Sequence, residues 1–209
     1  MDNQKEQDII KSRSAGGCIV AGYRLFNKRF KRIMRLSWPF AAVFALIYGV
    51  AAIWLLNATA MPLAAVMIIY VAGLLLAMIP SALALRRLRR HMPDLSLPKK
   101  LSALMNPRYW GSLLTVTLIV TLLSLVLTTV MSLPAIIVAL ANTQANLSML
   151  MGDANGMPDY VVWLSVLVMV FTGFVLTFIV LAAKFPVLYA HGSVVAQEQE
   201  RKDFNKTQS

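Results

Sequence analysis

The feature that most constrains this chain is residues 36–85, fifty positions without one charged side chain. A helix that crosses a bilayer needs about 20 apolar residues, so this run is long enough for two. Polar side chains interrupt it at residues 57–62, and the last of these residues, Pro62, is suited to the first turn of a helix. We therefore predict transmembrane helices at about residues 38–56 and 62–85, joined as a tight hairpin.

A second uncharged run covers residues 109–152 and predicts a third helix at about 110–137, which Pro134 kinks or ends. A fourth helix follows at about 160–183, after a polar loop at residues 142–159. The predicted fold is an all-α membrane protein with four transmembrane helices in two hairpins. Its predicted regions are residues 1–37, the transmembrane domain at 38–183 and a tail at 184–209.

The basic residues predict the orientation in the membrane. Of the 20 Lys and Arg residues, nine precede the first predicted helix, seven lie between the second and third, and four follow the last. Since cytosolic loops are enriched in Lys and Arg, both termini should be cytosolic. We expect a multi-pass protein of the cytoplasmic (inner) membrane. The net charge of +11 then favours anionic lipid head groups as partners rather than nucleic acid.

Residues 19–35 have the pattern of an amphipathic helix lying in the membrane interface. Apolar and basic side chains fall on opposite sides at about 100° per residue. The helix either anchors the first span or has a regulatory or partner-binding role, and a weaker copy precedes the third span at Leu97, Leu101, Leu104 and Met105. The apolar side is Ile19, Tyr23, Phe26, Phe30, Ile33 and Met34; the predicted lipid-binding residues are Arg24, Lys28, Arg29, Lys31, Arg32, Arg35, Phe26 and Phe30.

Two stripes of small or hydroxyl side chains predict where the helices pack. Helices in lipid associate through small residues and modest hydrogen bonds rather than through the hydrophobic effect. The hydroxyl stripe has two interpretations, helix packing or the lining of a polar path. The stripes are Ala41, Ala45, Gly49 and Ala52 on the first helix, and Thr117, Thr121, Ser124, Thr128 and Ser132 on the third.

The sequence offers no anchor for an enzyme. No Asp, Glu, Lys, Arg or His lies within a predicted span, although pumps and intramembrane metalloenzymes usually need such groups there. His91 and His191 fall on one predicted side, but a metal site would need more ligands. We therefore expect no catalytic residue, no metal and no cofactor.

Two segments carry a resemblance to a family. The lead-in Ile19-Val20-Ala21-Gly22-Tyr23-Arg24-Leu25-Phe26, followed by Phe30, resembles the opening of poorly characterised small polytopic membrane proteins of Bacteroidota type. The ending Phe185-Pro186-Val187-Leu188-Tyr189-Ala190-His191-Gly192-Ser193 is similar to theirs as well. The resemblance implies a bacterial membrane protein and no established activity.

The favoured hypothesis is a non-enzymatic scaffold or accessory subunit that acts by helix association and contact with anionic lipids. The alternative is a small transporter or channel subunit whose path follows the hydroxyl stripe of the third helix. A homo-oligomer and a membrane-protein partner both stay open at this point.

The topology gives the first testable prediction. Single cysteines placed at positions 147 and 154 should react with a membrane-impermeant thiol reagent only from outside the cell. Cysteines at positions 12, 95 and 205 should react only from the cytosol. External labelling at position 95 in intact cells would contradict the predicted orientation.

Overall fold

The computed structural model describes residues 9–58, 68, 71–73, 75–92, 109–152 and 159–207. These residues form helices and contain no strand. Four helical stretches are long and apolar enough to cross a membrane, Phe30–Ile53, Val71–His91, Trp110–Met149 and Tyr160–Lys206, so the predicted all-α class with four membrane-length helices is confirmed. The helices are α1 (Ala15–Lys28), α2 (Phe30–Ala58), α3 (Met78–His91), α4 (Trp110–Leu150) and α5 (Asp159–Thr207).

The predicted amphipathic helix at residues 19–35 is divided between α1 and α2. Helix α1 begins after Ser14, whose hydroxyl accepts a hydrogen bond from the Gly17 N–H at 3.3 Å. It ends at Arg29, where the backbone leaves helical geometry at φ −109° and ψ 15°. The backbone bonds from Arg29 to Leu25 and from Ile33 to Arg29 persist, so the break is a distortion of one residue rather than a loop.

Helix α4 is longer than predicted, since it passes Pro134 and reaches Leu150. The polar residues from 142 onward resemble a loop in sequence, but their side chains bond to the helix backbone. Thr143 Oγ1 donates to the Leu140 carbonyl at 2.8 Å, and Ser148 Oγ donates to the Gln144 carbonyl at 3.0 Å. The helix ends before Gly152, whose φ of +92° favours glycine.

Helix α5 is also longer than predicted, because it continues through Pro186 to Thr207 instead of ending at Ala183. The predicted tail is therefore helical as far as Thr207. Buried side chains such as Phe185 and Leu188 explain why the helix continues. The amphipathic pattern before the third span and the interruption at residues 59–62 lie outside the described residues.

The chain divides into two compact units. Unit 1 comprises Met1–Leu36, Leu85–Leu125 and Leu181–Ser209, and unit 2 comprises Ser37–Ala84 and Val126–Val180. Every Lys and Arg that the structure describes belongs to unit 1. The division follows contacts rather than charge, yet it separates the basic segments from the rest.

Unit 2 is held together by small residues that let helices approach closely. A β-carbon added at Gly49 of α2 would lie 3.0 Å from the Val170 nitrogen and 3.1 Å from its Cα, so the backbones of α2 and α5 are nearly in contact. Further along, buried Ala52, Ala135, Ala139 and Met169 form one cluster with contributions from α2, α4 and α5.

The Tyr48 ring occupies space left by two glycines in unit 2. A β-carbon at Gly173 would lie 2.9 Å from Tyr48 Cδ1, and one at Gly73 would lie 3.0 Å from Tyr48 Cζ. The ring also stacks on Phe44 of its own helix, with centroids 5.9 Å apart. Glycine at both positions is what makes room for this aromatic side chain.

Candidate functional site: the contact between α1 and α5

In unit 1, helix α1 packs directly on α5 at Gly22. A β-carbon at Gly22 would lie 2.5 Å from Pro186 Cα and 2.9 Å from the Phe185 carbonyl carbon, distances too short for any side chain. Pro186 has no N–H and leaves one carbonyl of the preceding turn without its helical donor. The crossing therefore brings a residue without a side chain onto an interrupted turn of α5.

Aromatic side chains close the contact on one side of Gly22. The Phe26 ring meets the Phe185 ring edge-on, with centroids 5.4 Å apart and the planes at 65°. Phe185 is fully buried, and Phe30 also contacts Phe26 edge-on, at 5.7 Å. Such aromatic pairs contribute roughly 0.5–1.5 kcal/mol beyond the area that they bury.

Polar groups close the contact on the other side of Gly22, around Ser193 of α5. The Ser193 hydroxyl accepts a hydrogen bond from the Arg13 N–H at 2.9 Å and donates one to the Arg13 carbonyl at 3.1 Å. The thiol of Cys18, one turn before Gly22, is buried and hydrogen-bonded to Ser193. Burial raises the pKa of Cys18, while the Ser193 bond and the Arg13 charge oppose that rise. At neutral pH the thiol stays protonated and is a poor nucleophile.

The residues before α1 extend the contact along α5. The Arg13 guanidinium lies over the Tyr189 ring, 5.4 Å from its centroid. A β-carbon at Gly192 would lie 3.0 Å from Ile9 Cγ2, so Ile9 packs on the bare backbone of α5. Residues 9–26 are thus bound to α5 at successive points from Ser193 to Phe185.

Helix α1 also contacts α4. The Tyr23 phenol is hydrogen-bonded to Ser124, one of the residues predicted to pack. Burial raises the pKa of Tyr23, and the Ser124 bond opposes that rise. Tyr23 therefore stays neutral at physiological pH and links α1 to α4 within unit 1.

The basic side of the predicted amphipathic helix faces away from these contacts. Arg24, Lys28, Lys31, Arg32 and Arg35 are exposed, and Arg29 is half-buried at the break between α1 and α2. Arg32 Nη2 donates a hydrogen bond to the His91 carbonyl at 3.1 Å, which ties the start of α2 to the end of α3. The other exposed cations extend from α1 and the first turns of α2.

The apolar side is buried unevenly, because the break at Arg29 changes which residues share a face. Ile33 is fully buried, whereas Ile19, Tyr23 and Phe26 are half-buried. Phe30 and Met34, predicted on the same side, are 40% and 36% exposed.

The predicted packing stripes have different positions in the structure. Ala41, Ala45 and Gly49 are buried within unit 2, where Gly49 meets Val170. Thr128 and Ser132 are buried too, and Ser124 is half-buried.

Thr117 and Thr121 are exposed, so the structure does not place them on the packed face of α4. The buried residues of that part are Val116 and Val120. The prediction assumed one fixed arc along the helix. The buried and half-buried positions 116, 120, 124, 128 and 132 are instead four residues apart. On an α-helix each such step turns the buried face by about 40°.

Sequence reasoning did not anticipate the contact between α1 and α5. Small residues four apart, Cys18 and Gly22, were an available signal for close helix packing, as was Gly192. The contact joins the two segments on which the family resemblance depends, residues 19–26 and 185–193. Comparisons with protein-family models, with curated proteins and with solved structures found no match.

Within the described part of the chain, no three His, Cys, Asp or Glu side chains lie close enough together to hold a metal ion. Both histidines interact with their own helices: His91 Nδ1 is 3.0 Å from the Arg87 carbonyl, and His191 Nδ1 is 2.7 Å from the Val187 carbonyl. The site is therefore a surface of packed helices and exposed cations.

The close crossing predicts that Gly22→Ala loosens α1 from α5. Overpacking against backbone costs about 1–3 kcal/mol, so alkylation of Cys18 should become roughly tenfold faster. Because the pKa of Cys18 is raised, alkylation of the wild type should be slow at pH 7 and accelerate as the pH rises.

Gly16→Ala is the matched control, since no atom lies within 4 Å of a β-carbon at that position of the same helix. This change should keep the wild-type alkylation rate and add about 0.5–1 kcal/mol of helix stability. Equal rates in Gly22→Ala and Gly16→Ala would contradict the crossing.

Proposed function

We propose that this chain is an inner-membrane protein with both termini in the cytosol that acts without catalysis, as a scaffold or accessory subunit. It would associate with other membrane components through its helices and contact anionic lipids through the exposed cations of α1 and the start of α2. The proposal includes the bacterial setting that the family resemblance implies.

The observation that carries the proposal is the segregation of charge between the two units. The described Lys and Arg residues all belong to unit 1, which contains the segments predicted to be cytosolic together with residues 110–125 of the predicted third span. A cation at the centre of a bilayer costs about 2.5–3.5 kcal/mol on insertion scales. Unit 2 carries none of this cost, which supports unit 2 as membrane-embedded and supports a cytosolic location for the basic segments.

The lengths of the helical segments in unit 2 give further support. Residues 37–58, 126–150 and 159–180 are helical. At 1.5 Å per residue each segment is roughly 33–38 Å long, enough to cross about 30 Å of hydrocarbon. Their outward-facing apolar side chains, such as Val43, Leu133 and Leu167, are exposed in the isolated chain and suited to lipid.

Unit 1 has its own features of a membrane surface. The first turns of α4 expose Leu114, Leu118 and Leu122 at helical spacing. Exposed cations of α1, such as Lys28, belong to the same unit. Apolar and basic side chains together are typical of the bilayer interface, where each cation near an anionic surface contributes about 1 kcal/mol.

The lipid contact predicts that Lys28→Gln with Lys31→Gln weakens binding of anionic phospholipid to the full-length protein. Two cations at about 1 kcal/mol each correspond to a loss of roughly thirtyfold in apparent affinity. Native mass spectrometry of the detergent-extracted protein, titrated with phosphatidylglycerol and with phosphatidylcholine, measures the effect.

The matched control is Lys202→Gln with Lys206→Gln, which removes the same charge near the end of α5. This pair should bind phosphatidylglycerol as the wild type does, and added salt should weaken binding of the wild type. An equal loss of phosphatidylglycerol affinity in both double variants would contradict the proposed role of the exposed cations of α1 and the start of α2.

A small transporter or channel subunit is the second candidate, and one observation favours it. Thr128 Oγ1 and Ser132 Oγ on α4 are buried without a hydrogen-bond partner among the described residues. Buried hydroxyls normally find a partner, often an ordered water, so such groups are suited to a hydrated path. Helix packing alone would leave both hydroxyls buried without a hydrogen-bond partner, which costs free energy.

Thr128→Val and Ser132→Ala separate the two candidates. In the scaffold, removing two unpartnered hydroxyls should leave the free energy of unfolding unchanged or raise it by up to about 1 kcal/mol per site, and the melting temperature should stay the same or rise. Growth of a complemented deletion strain should then be unaffected. A double variant that is as stable as the wild type yet fails to complement would favour the transporter.

A further inference from the structure

Two basic segments from different helices meet in unit 1. Arg32 Nη2, in the first turn of α2, donates a hydrogen bond at 3.1 Å to the carbonyl of His91, the last residue of α3. The residue before His91 is Arg90, and consecutive Cα atoms are about 3.8 Å apart. The Arg32 guanidinium therefore lies within reach of the Arg90 side chain, although Arg32 and His91 are 59 positions apart in the sequence.

Each side of this contact carries several further cations. The end of α1 and the start of α2 have five within eight residues, and the end of α3 has four within five residues. All of them are exposed except one, which is half-buried Arg29. We call the contact between the two segments the basic junction. Its cations are Lys28, Arg29, Lys31, Arg32 and Arg35 on one side and Arg86, Arg87, Arg89 and Arg90 on the other.

The positive-inside rule explains the presence of these cations but not their meeting. Cytosolic segments are enriched in Lys and Arg, and the rule does not require that two basic segments touch. Like charges repel one another within the screening length, which is about 10 Å at 0.1 M salt. Joining the segments therefore costs free energy that separated segments would avoid.

One contact within the chain offsets part of this repulsion. The last carbonyls of a helix lack donors in their own helix and carry a partial negative charge, and Arg32 supplies a donor to one of them. Full negative charges are remote along the sequence, since no Asp or Glu occurs from residue 9 to residue 93. Negative charge from outside the chain would relieve the repulsion further.

Packing holds the two segments at a fixed separation. Ile33, next to Arg32, is buried, as are Leu88 and Met92, which flank Arg90 at two positions on either side. The backbone of each segment is thus anchored in unit 1, while its cations are exposed. Two binding groups at a fixed separation favour a ligand with two matching groups, because the second contact then forms at a high effective concentration.

We propose that the basic junction binds a phospholipid with two phosphodiester groups in one head group, the class to which cardiolipin belongs. Arg32 holds one phosphate through the guanidinium donors that His91 does not use. Arg86 and Arg90, one turn apart and both exposed on α3, hold the other phosphate. Basic pockets between helices at the cytosolic surface are typical sites for such head groups.

The inference rests on the proposed function, because a lipid reaches the junction only if unit 1 meets the membrane surface. It deepens that function by naming one lipid class. The diffuse attraction of exposed cations favours any anionic lipid, whereas the junction favours a lipid that reaches both segments. A lipid also suits the apolar run that follows Arg35, since residues 36–58 carry no charge and acyl chains can lie beside them.

The test is native mass spectrometry of the full-length, detergent-extracted protein. Cardiolipin and phosphatidylglycerol are titrated at equal phosphate concentration, and the preference is the apparent Kd for phosphatidylglycerol divided by that for cardiolipin. The wild type should show a preference of about tenfold. Neutralising either side of the junction, by R86Q with R90Q or by R32Q, should reduce the preference to about twofold or less.

Matched variants separate the junction from total charge and from misfolding. K202Q with K206Q removes two charges near the end of α5 and should keep the tenfold preference. Without lipid, R86Q with R90Q should unfold at the wild-type temperature or higher, because repulsion is removed. If this double variant does not fold, R86Q and R90Q are measured singly, each with an expected preference of roughly fourfold.

Loss of the preference in both junction variants, with its retention in the α5 control, supports the site. A wild type without preference, a preference that survives in either junction variant, or an equal loss in the α5 control overturns it. Displacement of cardiolipin by sodium pyrophosphate at equal phosphate concentration would show that the ligand is a soluble diphosphate and would overturn the lipid assignment. In each of these failures, a retained effect of the Lys28 and Lys31 changes on phosphatidylglycerol binding would leave the proposed function intact.

Discussion

The cost of placing a cation in hydrocarbon is the constraint on which the rest of this structure depends. Lys and Arg lie in unit 1, and the buried side chains of unit 2 are apolar, small or hydroxyl-bearing, with Asn142 as a buried amide. Unit 2 has no Lys or Arg to form ion pairs, and in the proposed bilayer location its helices would gain nothing from the hydrophobic effect on meeting, so close packing has to hold them together. Gly49 against Val170 and the Tyr48 ring between Gly73 and Gly173 are the result.

Unit 1 uses close packing for a different purpose. Its helices carry cations that repel one another, so the contacts that hold them must offset this repulsion locally. The Gly22 crossing, the buried Phe185 ring and the hydrogen bonds of Ser193 do so without using a charged side chain. The Lys and Arg side chains of α1 therefore remain exposed and available to anions outside the chain.

The existence of the four long helices followed from the uncharged runs, because hydrophobicity over twenty residues is a local property. Their ends did not, since Thr143 and Ser148 resemble loop residues until their bonds to the helix backbone are seen. The predicted fourth helix ended at residue 183, whereas α5 continues through Pro186 to Thr207. Thr117 is exposed because of the direction in which α4 crosses its neighbours. Spacing along the sequence shows which residues share a face of the helix, but it does not show which face is packed.

The crossing of Gly22 over Pro186 has a consequence for how the protein is made. Roughly 160 residues separate the two positions, and a ribosome adds about 5–20 residues per second, so α1 must wait about 8–30 seconds for its partner. During that interval Cys18 and the bare backbone at Gly22 are not covered by α5. Helix α1 is thus synthesised well before α5 and can dock at Pro186 only after α5 has been made.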